Sequence, residues 1–314
     1  MTTIRASAPG KVVLCGEYAV LDGAPAIAMA VNRRAEVTVA TAIGDDSSIR
    51  MNGPGEPTDT SLFDCVIDAA GFEHADDYSF TLDTSAFVDA ASDVKLGIGS
   101  SAALTVALGQ ALISLQNEAR DVGEIAADAH RNFQQGVGSG ADIATSVAGG
   151  LIEYQMRGNN ATRVPWPAGL AFALFWSGVA ASTRERVDRL TASDAKPSRS
   201  RLSEVAVATA LAWQSGNADS IIGASEQYVN ALKRFSVDHG LGIFEAGHDA
   251  LVQDALERGF VYKPCGAGGG DVGIALATDT AQLDAFAQRA EAAGFRRLDI
   301  DIDNDGVQTR RDID

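Results

Sequence analysis

Three glycine-rich runs hold the residues whose types and spacing can do chemistry. The first is Lys95–Leu104, KLGIGSSAAL. Glycines let a backbone turn tightly and approach a ligand closely. A helix starting after them offers free N–H groups and the positive end of its dipole, which together favour a phosphate. Ser100 and Ser101 add hydroxyls that can bond phosphate oxygens or hold Mg²⁺, and Lys95 sets a cation beside the loop. No Gly-Lys-Ser/Thr closes the run, so it is not a P-loop. A glycine-softened turn before a buried helix has the same spacing, and this run alone leaves both readings open.

The second run, Lys263–Gly273 (KPCGAGGGDVG), carries five glycines. Such a run is costly in chain entropy unless backbone must approach something closely. A flexible hairpin loop is the competing reading. The third, Gly136–Ala144 (GVGSGADIA), puts Asp142 at the start of a short helix after a glycine turn. There it serves either as a functional carboxylate or as a complement to the helix dipole.

The elements that must position these runs alternate between strands and helices. Thr3–Ser7, Lys11–Leu14, Ala35–Ala42 and Tyr78–Asp83 have strand patterns, and Leu62–Ala70 has a helical one. Gly53–Asp59 is loop. Ser100–Gln116 reads as a buried helix. A second helix opens at Asp121, where Asp121 and Glu124 form an Asp-x-x-Glu capping box, and runs to about Gln134. Ala141–Val147 is a short helix stopped by Gly149 and Gly150, and Leu151–Gln155 is a strand. Met156–Gly169 is the expected domain boundary. Beyond it come the strand Leu170–Trp176 and helices near 183–192, 200–214, 217–234 and 242–258. Strands at Phe260–Lys263 and Val272–Ala277 flank the second glycine run. A helix over Asp279–Ala293 and a strand over Arg296–Ile302 follow. The pattern argues α+β in both halves.

Length and charge narrow the function classes. The 314 residues suffice for two domains. A 46% hydrophobic and 21% charged composition is that of a globular protein. The net charge of -17 repels nucleic acid and anionic lipid. No apolar run reaches membrane-spanning length, and Cys15, Cys65 and Cys265 lack metal-type clustering. The expectation is a cytoplasmic protein with no nucleic-acid or membrane partner, acting as a monomer or homodimer.

In order along the chain, these segments resemble the GHMP kinases, named for galactose, homoserine, mevalonate and phosphomevalonate. The family's first motif matches Ala8–Gly23 (APGKVVLCGEYAVLDG), its second Gly97–Ala103 and its third Gly266–Gly273. The resemblance implies a domain like ribosomal protein S5 domain 2 over 1–165 and a ferredoxin-like domain over 166–314, with ATP and the acceptor meeting between them. It implies transfer of a phosphoryl group from ATP, with Mg²⁺, to a small hydroxylated or phosphorylated acid. Gly97, Gly99, Ser100, Ser101 and Ala102 would wrap the ATP phosphates, with Ser101 as a Mg²⁺ ligand. Asp142 matches the catalytic aspartate and Lys11 the first-motif lysine near the acceptor. Phosphoryl transfer needs mostly positioning and charge neutralisation. Asp142 would accept or orient the acceptor's proton, Lys11 would keep it ionised, and Lys95 would offset charge on the transferring group.

Glu17, Tyr18, Ser139, Gly268, Gly269 and the loop ending Ser182, Thr183 and Arg184 match the acceptor side. Within the family, Tyr18, Asp271 and Lys95 resemble the phosphomevalonate kinases. Mevalonate kinases carry a histidine after the first-motif Glu and a metal-binding Glu upstream of the catalytic Asp, where this chain reads His130–Gln135 (HRNFQQ). Phosphomevalonate is therefore the expected acceptor, with mevalonate or another small acid as the alternative. Lys11, Arg184 and His130 are candidates to face its phosphate, although Arg184 also suits a solvated helix end. A non-catalytic sensor on the same fold would not need the base at Asp142. A decarboxylase relative is disfavoured by the glycine-rich third motif.

Overall fold

A computed structural model describes residues 2–42, 48–53, 59–181, 183–192 and 196–313; at 183, 184, 191, 192 and 313 it describes the backbone alone. The chain runs β1 (Thr2–Cys15), β2 (Ala26–Thr41), β3 (Ser48–Asn52), α1 (Ser61–Ala70), β4 (Tyr78–Asp83), β5 (Val88–Asp89), β6 (Val94–Lys95), α2 (Ser100–Gln116), α3 (Val122–Phe133) and α4 (Ala141–Ala148). It continues through β7 (Leu151–Gln155), β8 (Asn160–Val164), β9 (Ala171–Trp176), α5 (Thr183–Ala192), α6 (Pro197–Ser215), α7 (Ala218–His239) and α8 (His248–Glu257). It ends with β10 (Val261–Pro264), β11 (Val272–Ala277), α9 (Thr280–Ala292), β12 (Arg296–Leu298) and β13 (Gln308–Ile313). Among the described residues no helix is long and apolar enough to cross a membrane.

Two compact units result. The first gathers Met1–Lys11, Ala30–Gly150 and Ile302–Asp314; the second gathers Val12–Met29 and Leu151–Asp301. The units part at Gly150 and Leu151, not at the 165/166 boundary expected from the Pro- and Gly-rich stretch. The reason is that Met156–Gly169 is not a linker. Asn159 N–H bonds Met156 O at 3.2 Å, and the turn returns the chain as β8, paired with β7 from Leu151↔Val164 to Gln155↔Asn160. β7 in turn pairs with the start of β2, Ala26↔Tyr154 to Met29↔Leu151.

In the first unit the strand order is β13-β1-β2-β4-β3. Its core packs Ile4, Val37, Val39, Phe80 and Leu82 of the sheet against Val106, Leu108 and Leu112 of α2 and Ile125 of α3. α2 is apolar on every face, as befits a helix with neighbours on every side; Ala102, Ala103, Val106, Ala107 and Ala111 have no exposure. Asp121 caps α3, its Oδ1 accepting from Gly123 N at 2.7 Å. β1 is one strand, not the two short ones expected around Pro9-Gly10. At Gly10 a Cβ would overlap Phe87 and the Ile98 carbonyl, so glycine lets the strand pass unbroken, flush against the 95–104 loop. β13 was not anticipated because its residues 308–311 are exposed polar or charged side chains with no apolar alternation. It pairs antiparallel with β1, Thr2↔Ile313 to Ser7↔Gln308.

The second unit holds the antiparallel sheet β10-β11-β9-β12. Phe175, Tyr262, Ala275 and Ala277 of this sheet pack on Val229 of α7, Val252 and Ala255 of α8 and Phe286 of α9. β12 stops at Leu298, short of the Ile302 expected.

Candidate active site

In the first unit the 95–104 run turns from β6 into α2. Gly97 and Gly99 have φ of 76° and 84°, a left-handed conformation open to glycine at low cost. Gly99 is the N-cap of α2, with no side-chain capping bond. The N–H groups of Ser100, Ser101 and Ala102 therefore head the helix without an intrahelical acceptor, and Ala103 N–H is the first to close the ladder, onto Gly99 O at 3.1 Å. Ala102 contributes only through that backbone, because its side chain is fully buried in the core.

Lys11 crosses this turn. Its N–H bonds Ile98 O at 2.8 Å, and a Cβ at Gly99 would stand 3.1 Å from the Lys11 Cγ and Cε. Glycine at 99 thus leaves room for the lysine to lie over the head of α2. Lys95, Ser100 and Ser101 line a pocket together with the polar Asn52, Asp59 and Thr84 and the apolar Leu62, Leu104 and Phe133. Sequence reasoning missed Asn52, Leu62, Thr84 and Phe133, which come from four separate segments and carry no motif.

Behind Ser101 the structure brings together three residues. Ser101 Oγ lies 3.1 Å from His130 Nε2, and His130 Nδ1 lies 3.8 Å from Asp142 Oδ2. His130 is 3% exposed and Asp142 is 23% exposed. Gln134 Nε2 also reaches His130 Nε2, at 3.4 Å. Gly140, with φ of 83°, starts α4 and sets Asp142 in its first turn, where Oδ1 accepts from Ile143 N at 2.9 Å. Ser139 Oγ accepts from Ala141 N at 3.3 Å. His130, considered from sequence only as a possible phosphate contact, is instead the buried link of this row.

The second unit holds the remaining matches. Tyr18 is buried and its hydroxyl donates to Ala267 O at 2.7 Å, tying the first motif to the third. Burial pushes its phenol above the usual range, only partly offset by the Arg186 charge. Glu17 does not fit the acceptor-contact role expected of it. It is buried, Oε1 bonds Lys263 Nζ, and Oε2 accepts from Tyr228 OH at 2.9 Å. Both oxygens are spent inside the protein because a buried carboxylate needs partners. Lys263 Nζ also donates to Val13 O at 3.2 Å.

Gly268 and Gly269 pack closely within this unit. Gly269 N bonds Ile243 O at 2.7 Å, and a Cβ at Gly269 would overlap the Arg186 guanidinium. Arg186, passed over in the sequence, is buried, and its Nε donates to Leu241 O at 3.2 Å. Asp271 ties the expected acceptor loop to the third motif: its Oδ1 accepts from Ala181 N at 3.0 Å and its carbonyl from Ser177 N at 2.9 Å. Ser182 lies outside the described residues. Thr183 and Arg184 open α5, and their side chains lie outside the description too.

Comparison with known proteins bears on this arrangement. Residues 65–150 match the family model of the GHMP kinases N terminal domain. The chain is 30% identical to the phosphomevalonate kinase of Streptomyces sp. (strain CL190), over 97% of this chain and 98% of that one. It is 38% identical to a mevalonate kinase of Methanothermobacter thermautotrophicus over 47% of this chain and 48% of the other. The fold is shared with the Lin0012 protein from Listeria innocua, at a TM-score of 0.85 and 22% identity over 98% and 99% of the two chains. It is also shared with Streptococcus pneumoniae phosphomevalonate kinase in complex with phosphomevalonate and AMPPNP, at a TM-score of 0.81 and 21% identity over 95% and 99%. With three motifs in order, the shared α+β fold and a relative matched along nearly its whole length, the chain belongs to the GHMP kinases.

Proposed function

We propose that this chain transfers the γ-phosphoryl group of ATP to the phosphate of 5-phosphomevalonate, releasing ADP and diphosphomevalonate. The observation that carries this reading is the match along nearly the whole length of the Streptomyces phosphomevalonate kinase. The head of α2 receives the ATP phosphates on the N–H groups of residues 100–102, and the adjoining pocket takes the base against Leu104 and Phe133. Lys11 and Lys95 supply the positive charge that a reaction between two anions requires inside a protein of net charge -17.

Among the described residues no group of three His, Cys, Asp or Glu could hold a metal alone. That fits Mg²⁺, which arrives with nucleotide phosphates and takes few protein ligands; Ser101 Oγ is the protein's oxygen for it. Bound there, the ion would neutralise charge on the phosphates. Asp142 orients the acceptor and takes up the proton that a phosphate monoester retains near its second pKa of about 6.

Mevalonate is the second reading, favoured by the 38% identity to a mevalonate kinase over half the chain. The test is kcat/KM for both acceptors with ADP release coupled to a dye. We expect 5-phosphomevalonate to be preferred. A preference for mevalonate overturns the acceptor assignment, and turnover of neither overturns the kinase reading.

A further inference from the structure

The Ser101–His130–Asp142 row is built around one buried imidazole. A glutamine amide nitrogen can only donate, and the Gln134 amide nitrogen faces His130 Nε2 at 3.4 Å. An imidazole with Nε2 bare can accept from this amide and from the Ser101 hydroxyl. Its shorter contact is Ser101 Oγ at 3.1 Å, and in that tautomer the serine hydrogen points inward to Nε2. The hydrogen of the ring then sits on Nδ1, which faces Asp142 Oδ2 at 3.8 Å. Burial of the ring, stacked on Phe133 with centroids 6.3 Å apart, keeps water from substituting for either partner.

Two consequences follow from elementary hydrogen-bond accounting. Ser101 keeps only lone pairs to offer outward, so it presents an acceptor and not a donor at the head of α2. An acceptor there repels a phosphate oxygen and suits a cation. Asp142 accepts from Ile143 N on Oδ1 at 2.9 Å, and its Oδ2 stands 3.8 Å from His130 Nδ1, within ion-pair range. One imidazole thus lies between the Ser101 hydroxyl and the Asp142 carboxylate.

We propose that His130 is a positioning residue of the transfer reaction, holding the Ser101 hydroxyl with its hydrogen turned inward and the Asp142 carboxylate in its working orientation. This rests on the proposed kinase reading for its functional consequence, but the tautomer is a property of the free protein. Three measurements on the full chain test it. Long-range ¹H–¹⁵N correlation spectra of the wild type, without nucleotide, are expected to show His130 with Nδ1 protonated and Nε2 bare. Nε2–H in that spectrum overturns the proposal whatever the enzyme phosphorylates.

His130→Ala is expected to lower kcat by about 10–100-fold, the usual range for a residue that orients a ligand-bearing group. It should weaken ATP binding, measured by calorimetry, when Mg²⁺ is present and leave Mg²⁺-free ATP binding unchanged. His130→Gln keeps much of the volume and offers an amide oxygen toward Ser101. It is expected to recover part of the Mg²⁺-dependent affinity, and in a Ser101→Ala background it should change that affinity no further. Equal losses of ATP affinity with and without Mg²⁺, or additive effects of His130→Gln and Ser101→Ala, overturn the proposal. If the alanine variant does not fold, the glutamine variant and the wild-type spectrum decide it.

Discussion

The two glycine runs flanking α2 and β11 look alike in sequence and do opposite things in structure. At Gly97 and Gly99 the backbone turns so that three N–H groups head a long helix beside a pocket. The nearest side chain is the flexible stem of Lys11. At Gly268, Gly269 and Gly270 the backbone is pressed against its own unit. The would-be Cβ positions meet Ile243, the Arg186 guanidinium and the Val179 carbonyl. Beneath that second run sit a buried Glu17–Lys263 pair and the His248–Tyr262 pair. The first run borders a pocket and the second is filled by protein. A glycine cluster therefore reports close approach, and only the fold says whether the approaching group is substrate or the chain itself.

If this contrast holds, a change in the first unit's row should remove turnover and spare stability, while a change beneath the third motif should do the reverse. Asp142→Asn keeps the shape and loses the charge and the proton acceptor. Its kcat is expected to fall about 10²–10⁴-fold, with the unfolding midpoint and ATP affinity close to wild type. Near-normal turnover would remove Asp142 from the chemistry.

Lys263→Met leaves the Glu17 carboxylate buried with only Tyr228 and no cation. Breaking a buried pair on one side costs about 3–5 kcal/mol, which urea unfolding would read directly. The double variant Glu17→Gln/Lys263→Met should regain most of that loss, since neutral or apolar replacements of both partners are tolerated. A single Lys263→Met variant as stable as wild type would mean that the pair is not the anchor of the first and third motifs.

The same contrast explains what the sequence disclosed. Helices with strong local signals were legible to within a few residues: α2 from its unbroken apolar run, α3 from the Asp121 cap, and α9 from Asp279 and Gly294. The Ser101 and Asp142 positions were legible because the glycines just before them advertise a turn into a helix. His130 was not, because nothing in an HRNFQQ helix end says that its imidazole faces two residues from other elements. Glu17 was misread for the complementary reason. It lies inside a motif, but its partners Lys263 and Tyr228 are more than two hundred residues away, and no local pattern signals a buried ion pair. β13 and β8 escaped because exposed strands need no apolar alternation once a neighbour supplies the ladder.

The smallest effect expected is a pH dependence confined to the packed run. His248 is fully buried, with Nε2 bonded to Gly270 O at 3.0 Å and Nδ1 to Tyr262 OH at 2.8 Å. A carbonyl only accepts, so Nε2 carries the hydrogen, and Nδ1 accepts from the tyrosine. Both bonds are met by the neutral ring. Burial, with a smaller push from the Lys263 charge and some opposition from the Gly270 bond, lowers its pKa from 6.5 to about 4. The unfolded chain therefore binds a proton at a pH where the folded chain does not. Stability from this group is complete above pH 6.5, declines as the pH falls toward 4, and levels off below that. Between pH 7 and pH 5 the loss amounts to about 2 kcal/mol. Carboxylates titrate over the same window, so the comparison must be internal. Urea unfolding of wild type and His248→Gln at both pH values isolates the contribution, because the carboxylate share is common to both. The wild type should lose about 2 kcal/mol more than the variant on acidification. Equal losses would mean that the imidazole is protonated in the folded state and that the second glycine run is not braced as the contrast between the two runs requires.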